Sequence, residues 1–253
     1  MEKLCALLFE LSNEDRLNIL FELKKAPMKL SRVAEKFGFT VPETARNISR
    51  LSEAKLIEKC PDGSYYLTSY GEASLQFLPG LGFLSKHKEY FKNHALSRIP
   101  SEYAANIGVL ADSEFVKEVT TTISEVENMI RHAQEFIWFM IDQILANAVV
   151  LIGEAVDRGV KFRKILPRNV VIPEDTLKLC NDPFIEQAGR AKKVESRYID
   201  KIDVSIFVSE KGATILFPNL EGQFDFFGFR SKNELAVKWA KSLFSSYWDR
   251  AKR

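Results

Sequence analysis

The stretch TVPETARNISRLSEAKLIEKCPDGSYYLT, residues 40–68, restricts the architecture more than any other part of this 253-residue chain. Thr40 and Glu43 stand at capping-box spacing, and Pro42 falls in the first turn, where a helix has no use for an amide proton. Val41, Thr44, Ile48 and Leu51 recur at helical spacing, which predicts an inward face on a helix running to about Lys55. Glu43, Arg46, Asn47 and Arg50 then share the outward face. Two short strand patterns follow, LIEKC and SYYLT, joined by Pro-Asp-Gly, and this is the signature of a hairpin.

Upstream, Ser12 and Asp15 open a helix carrying Leu17, Leu20, Phe21 and Leu23, which should end near Pro27. Ser31 opens a second, with Val33, Ala34 and Phe37 inward and Gly38 as its stop. Helix, helix, turn, helix, ribbon is the order of a winged helix-turn-helix. Its third helix fits the DNA major groove, where arginine and asparagine can pair bidentately with base edges. The ribbon can lie on the backbone, with Lys59 near phosphates. The charge distribution agrees: residues 24–59 hold nine basic and four acidic side chains, a local excess of +5 in a chain whose net charge is +2. Double-stranded DNA is therefore the expected partner, contacted by Thr40, Glu43, Arg46, Asn47, Arg50 and Lys59. The alternative is a winged helix used as a protein-interaction scaffold.

The rest of the chain divides by pattern into a helical linker, 78–112, and a second domain, 113–253, after a first domain of 1–77. Residues 114–134 read as one helix, with Val119, Ile123, Val126 and Ile130 inward. EFIWFMI, then QILANAVVLIGEAVDRG, then VKFRKIL give strand, helix, strand, the order of a parallel crossover. KVESRYI, VSIFVSE, ATILFPN and GQFDFFGF read as further strands, and ELAVKWAKSLFSSYWDRAKR as a closing amphipathic helix. The expected class is mixed α/β. Sheets of this kind place ligands at strand ends, which nominates Trp138, Gln143, Arg163, Arg168, Asp225 and Arg230 for a small-molecule effector.

Several classes are disfavoured. FIWFMI and AVVLIG are too short to span a bilayer, and the acidic start MEKLCALLFELSNEDRL does not resemble a secretion signal. Cys5, Cys60 and Cys180 are too far apart for a disulfide framework or a paired-cysteine metal site. A soluble cytoplasmic protein without cofactor or metal is expected.

ISRLSEAKLIEKCPDGSYYLTSYGEASL resembles the recognition helix and wing of archaeal winged-helix regulators. LPGLGFLSKHKEYFKNHALSRIPSEYAANIGVL resembles the linker of the methanogenesis-regulator (filament regulator) family, and ATILFPNLEGQFDFFGF followed by KWAKSLFSSYWDRAK fits its second half. That resemblance implies a C-terminal domain similar to the phospholipase D fold and to TrmB-type sensor domains. It also raises phosphodiesterase chemistry, which resembles a His-x-Lys nucleophile and phosphate clamp. His87, His94 and His132 do not offer that spacing, so a degenerate phosphodiesterase is the weaker reading and no catalytic residue is assigned. The resulting expectation is a dimeric DNA-binding regulator with an effector-sensing domain. The first helix, with Leu4, Leu7, Leu8 and Leu11, together with the helical linker around Phe77 to Phe91, is expected to join two copies.

Overall fold

The computed structural model describes residues 1–171 and 193–252, and the chain divides into two compact units, Met1–Pro79 and Gly80–Arg253. Cys180 lies outside the described residues.

The first unit contains α1 (Glu2–Leu11), α2 (Glu14–Leu23), β1 (Met28–Lys29), α3 (Leu30–Phe37), α4 (Val41–Glu53), β2 (Ile57–Lys59), β3 (Ser64–Leu67) and α5 (Ser69–Gln76). Its sheet has the order β1-β3-β2, all antiparallel, so the expected two-stranded ribbon gains a third strand from Met28 and Lys29. A two-residue strand is too short to leave a periodic signal. Ile19, Leu20, Val33, Ile48, Leu51, Leu56, Ile57 and Leu75 form the core. Asn13, and not Ser12, caps α2, accepting from the Arg16 amide at 3.0 Å; Ser12 terminates α1. The cap of α3 is Lys29 rather than Ser31, but Gly38 ends that helix in the left-handed region, φ 69°, as expected.

The second unit carries a seven-stranded mixed sheet of order β4-β10-β9-β8-β5-β6-β7. Its strands are β4 (Glu114–Val116), β5 (Phe136–Met140), β6 (Lys161–Pro167), β7 (Val194–Ile199), β8 (Ser205–Ser209), β9 (Gly212–Leu216) and β10 (Gly228–Ser231). β5, β6 and β7 run parallel, and the other pairs are antiparallel. Period-two alternation sends Ile206 and Val208 to one face and Phe207 to the other. On the first face the closing helix Glu234–Arg250 buries Trp239, Leu243, Phe244 and Tyr247, while its Leu235 stays exposed. Phe83, Tyr90, Ile99, Ile107 and Leu110, all from 80–112, join that core. The second face is covered by α9 (Val119–His132) and α10 (Ala146–Asp157).

Two expected elements differ. Residues 114–134 are a strand followed by a helix, because Glu114–Val116 pairs with β10 and completes the sheet edge. GQFDFFGF is mostly loop: only Gly228 and Phe229 of it lie in β10, and Phe226 takes a positive φ of 65°. Among the described residues no helix is long and apolar enough to cross a membrane.

Candidate functional site

Side chains of α4 are sorted by the 3.6-residue period. Thr44, Asn47, Ile48 and Leu51 form its buried stripe at i, i+3, i+4 and i+7. Val41, expected inside, precedes that stripe and is 64% exposed; Asn47, expected outside, is 7% exposed. The capping box is present, but with long contacts: the Glu43 amide donates to Thr40 Oγ1, and the Thr40 amide to Glu43 Oε2, both at 3.4 Å. Thr40 and Glu43 therefore define the start of the helix while their side chains remain at the surface. Arg46 is exposed.

Arg50 is turned toward α1. Its Nε and Nη2 donate to the two carboxylate oxygens of Glu10 at 3.0 and 2.5 Å, and its guanidinium lies 5.1 Å from the centre of the Phe9 ring. The Arg50 hydrogen bond holds the Glu10 carboxyl below its ordinary range. Glu10 also meets Arg16, whose guanidinium donates to the carbonyls of Phe9 and Glu10 at the end of α1. The expectation that Asn47 and Arg50 both point freely outward is thus corrected by packing contacts that local periodicity does not register.

The hairpin between β2 and β3 is held by Asp62, whose Oδ1 accepts from the Ser64 amide at 3.0 Å and from its hydroxyl at 2.7 Å. Gly63 supplies the positive φ of 86° that the turn requires. Lys59 is exposed just before the turn, its ammonium 5.8 Å from the Tyr65 ring centre. Arg32, Lys36 and Lys55 add exposed positive charge. Arg32 pairs with Glu35 at the surface, a contact of little net worth, and Lys36 pairs with Glu22 at 2.7 Å.

In the second unit the six nominated ligand residues do not meet in one place. Trp138 stacks on Phe244 at 5.2 Å, and Arg163 is sandwiched between Trp138 and Trp248 while pairing with Glu195 at 2.9 Å. Arg230 is engaged by Glu114 and Glu125, and Arg168 by Asp200. Asp225 pairs with buried His94 at 3.1 Å, and the same ring contacts the Tyr90 carbonyl at 2.8 Å. Gln143 borders an apolar cavity of ≈ 90 Å³ beside α10, and also a polar cleft of ≈ 520 Å³ at the ends of the parallel strands. Asp142, Asn169, Asp200 and Lys201 line that cleft. Asp142 was missed by the sequence reading. Its Oδ1 is buried without a hydrogen-bond partner among the described residues, and burial pushes the carboxyl above its usual range. An acid directly after a buried strand is the signal that marks it. Among the described residues no group of His, Cys, Asp and Glu could hold a metal ion.

Residues 109–250 match the family model of the methanogenesis regulatory protein FilR1, middle domain. Among solved structures, the chain is similar to TrmBL2, an archaeal chromatin protein with a novel mode of DNA binding. That match has 18% identity over 95% of this chain and 94% of the other, with a TM-score of 0.45. NucT from Helicobacter pylori is 10% identical over 56% of this chain and 96% of its own, with a TM-score of 0.43. Nuc from Salmonella typhimurium, a phospholipase D family member, is 13% identical over 51% and 88%, with a TM-score of 0.38. No curated protein matches the chain.

Proposed function

The chain belongs to the family of the methanogenesis regulatory protein FilR1, whose middle domain it matches over residues 109–250, and on that footing we propose that it is a transcriptional regulator binding double-stranded DNA. The reading is carried by α4, a capped helix with Arg46 outward, on a winged-helix unit that also exposes Arg32, Lys36 and Lys59. Such a helix fits the major groove, and the surrounding cations match the phosphates on either side. The DNA resemblance of TrmBL2 agrees with this reading without carrying it.

The regulator acts in the cytoplasm as a homodimer and is not an enzyme. Self-association is supported by α1, which leaves Leu4, Leu8 and Phe9 exposed. The second unit senses an effector in the cleft at the ends of β5 and β6, a reading supported by Asp142, whose inner oxygen has no partner among the described residues. A preference of that effector for one state of the dimer sets the output.

The test is fluorescence anisotropy of the full chain on labelled duplex between 50 and 200 mM salt. Affinity should fall linearly on a log–log plot, with a slope counting the phosphate contacts. Absence of binding at the lowest salt, or binding indifferent to salt, overturns the DNA reading and favours a protein-binding winged helix.

A further inference from the structure

The DNA-binding reading leaves open which side chains recognise sequence, and the inference drawn here rests on that reading. Of the two residue types best suited to bidentate base contacts, Asn47 is buried and Arg50 is tied to Glu10. What α4 presents outward along its first turns is Val41, Pro42, Glu43, Ala45, Arg46 and Ser49, with Glu43 held in the capping box.

Val41 is the unexpected member. It is the first residue of α4, 64% exposed, and absent from the core of its unit. A β-branched residue is a poor choice for an exposed helical position, where it loses rotamer freedom and adds no packing. Ala45 lies one turn later on the same side of the helix, also exposed, and its single methyl group leaves the space beside Val41 open. Arg46 is exposed one position further on, and Arg32 and Lys36 are exposed on α3. The surface is therefore a small apolar knob with the capping carboxylate of Glu43 on one side and the cations Arg46, Arg32 and Lys36 nearby in the unit.

In a helix-turn-helix it is the N-terminal part of the recognition helix that reaches base edges. An isopropyl group cannot donate or accept a hydrogen bond. The one major-groove feature it complements is the C5-methyl group of thymine. We infer that Val41 is a specificity-determining residue that packs on a thymine methyl group in the major groove, with Arg46 engaging the adjacent base or phosphate.

The experiment begins by selecting duplexes from a random pool with the full chain. Each thymine of the best duplex is then replaced singly by deoxyuridine, which removes only the methyl group. At one thymine in each half-site the replacement should weaken binding about fourfold, the worth of one buried methyl group. Val41→Ala should bind the thymine and uracil duplexes alike, so that the penalty for losing the methyl group disappears in the variant. An unchanged thermal melt of the variant establishes that it is folded, and Val41→Thr, which retains one methyl group, should keep part of the discrimination. Wild-type binding indifferent to every uracil replacement overturns the inference, as does undiminished discrimination by Val41→Ala. In both of those cases DNA binding itself stands. Failure of the wild type to bind any duplex removes the DNA reading, and this inference with it.

Discussion

Glu10 and Arg50, forty positions apart, join α1 to α4 through two hydrogen bonds of 2.5 and 3.0 Å. Glu10 is only 13% exposed at its side chain and is shared with Arg16, which is 8% exposed. One carboxylate thus sits between two guanidinium groups, and it fixes the position of the helix that would enter DNA.

Glu10→Gln keeps the shape but leaves buried Arg16 with backbone carbonyls alone. The expected cost is ~1–3 kcal/mol, the penalty of an inadequately paired buried polar group. The sign with pH follows from the lowered Glu10 carboxyl. Its stabilisation is complete above the unfolded value near 4.5 and is lost as pH falls through the lower folded value. Urea unfolding of wild type and variant at pH 7 and in acid should show the difference shrinking. A difference independent of pH would assign the effect to shape rather than charge.

The Lys59 side chain is exposed beside the hairpin turn and, among the described residues, has only the distant contact with the Tyr65 ring. In the proposed complex it meets phosphate and reads no base. Lys59→Ala should weaken specific and random duplexes equally and reduce the salt slope by about one. Measured titrations with identical slopes would place the ribbon away from the backbone.

Much of the first unit was legible in residues 40–68, since the capping box and the Pro-Asp-Gly hairpin both rest on local chemistry. The sorting of α4 was legible only in part. Thr44, Ile48 and Leu51 announce the stripe, but a polar Asn47 inside it and an aliphatic Val41 outside it defeat hydrophobicity as a guide. Arg50 could not be placed because its partner lies forty positions away. In the second unit the β5–α10–β6 crossover was readable from strand runs of aromatic and branched residues. The strand Glu114–Val116 was not, because its conformation is set by pairing with β10, more than a hundred positions later. The proposed ligand residues scattered for a related reason: arginines at strand ends found partners, while the unpartnered oxygen belongs to Asp142.

His87 is 7% exposed, ringed by Phe83, Phe115 and Phe229, and its Nε2 has no partner among the described residues. Burial lowers its pKa from the ordinary 6.5, so the folded state resists protonation. Stability is fully present above about 6.5 and falls as pH drops below it, where the unfolded chain binds the proton first. His87→Leu removes that dependence. Its melting temperature relative to wild type should rise between pH 8 and pH 5, because only the wild type loses stability as the unfolded chain takes up the proton. A constant difference would mean that the buried imidazole is not what titrates.

The helix α1 sets the last expectation. Ten residues long, it buries Leu11 but leaves Leu4 51%, Leu8 45% and Phe9 60% exposed. Leu4 and Leu8 are one turn apart and form a single apolar stripe. A stable interface buries ~800 Å² on each partner, more than a helix about 15 Å long supplies alone. Phe77, the C-cap of α5 in the same unit, is 76% exposed and is the most exposed further large apolar side chain of that unit after Met1. The double variant Leu4→Glu/Leu8→Glu in the full chain should dissociate a dimer, because each copy then brings two carboxylates to an apolar contact without partners. Phe77→Glu should weaken the same dimer by a smaller factor. Light scattering over a hundredfold concentration range reads both, and unchanged thermal melts show that the monomers remain folded. A double variant as dimeric as wild type moves self-association to the second unit; a wild type monomeric at every concentration removes the dimer from the proposed mechanism.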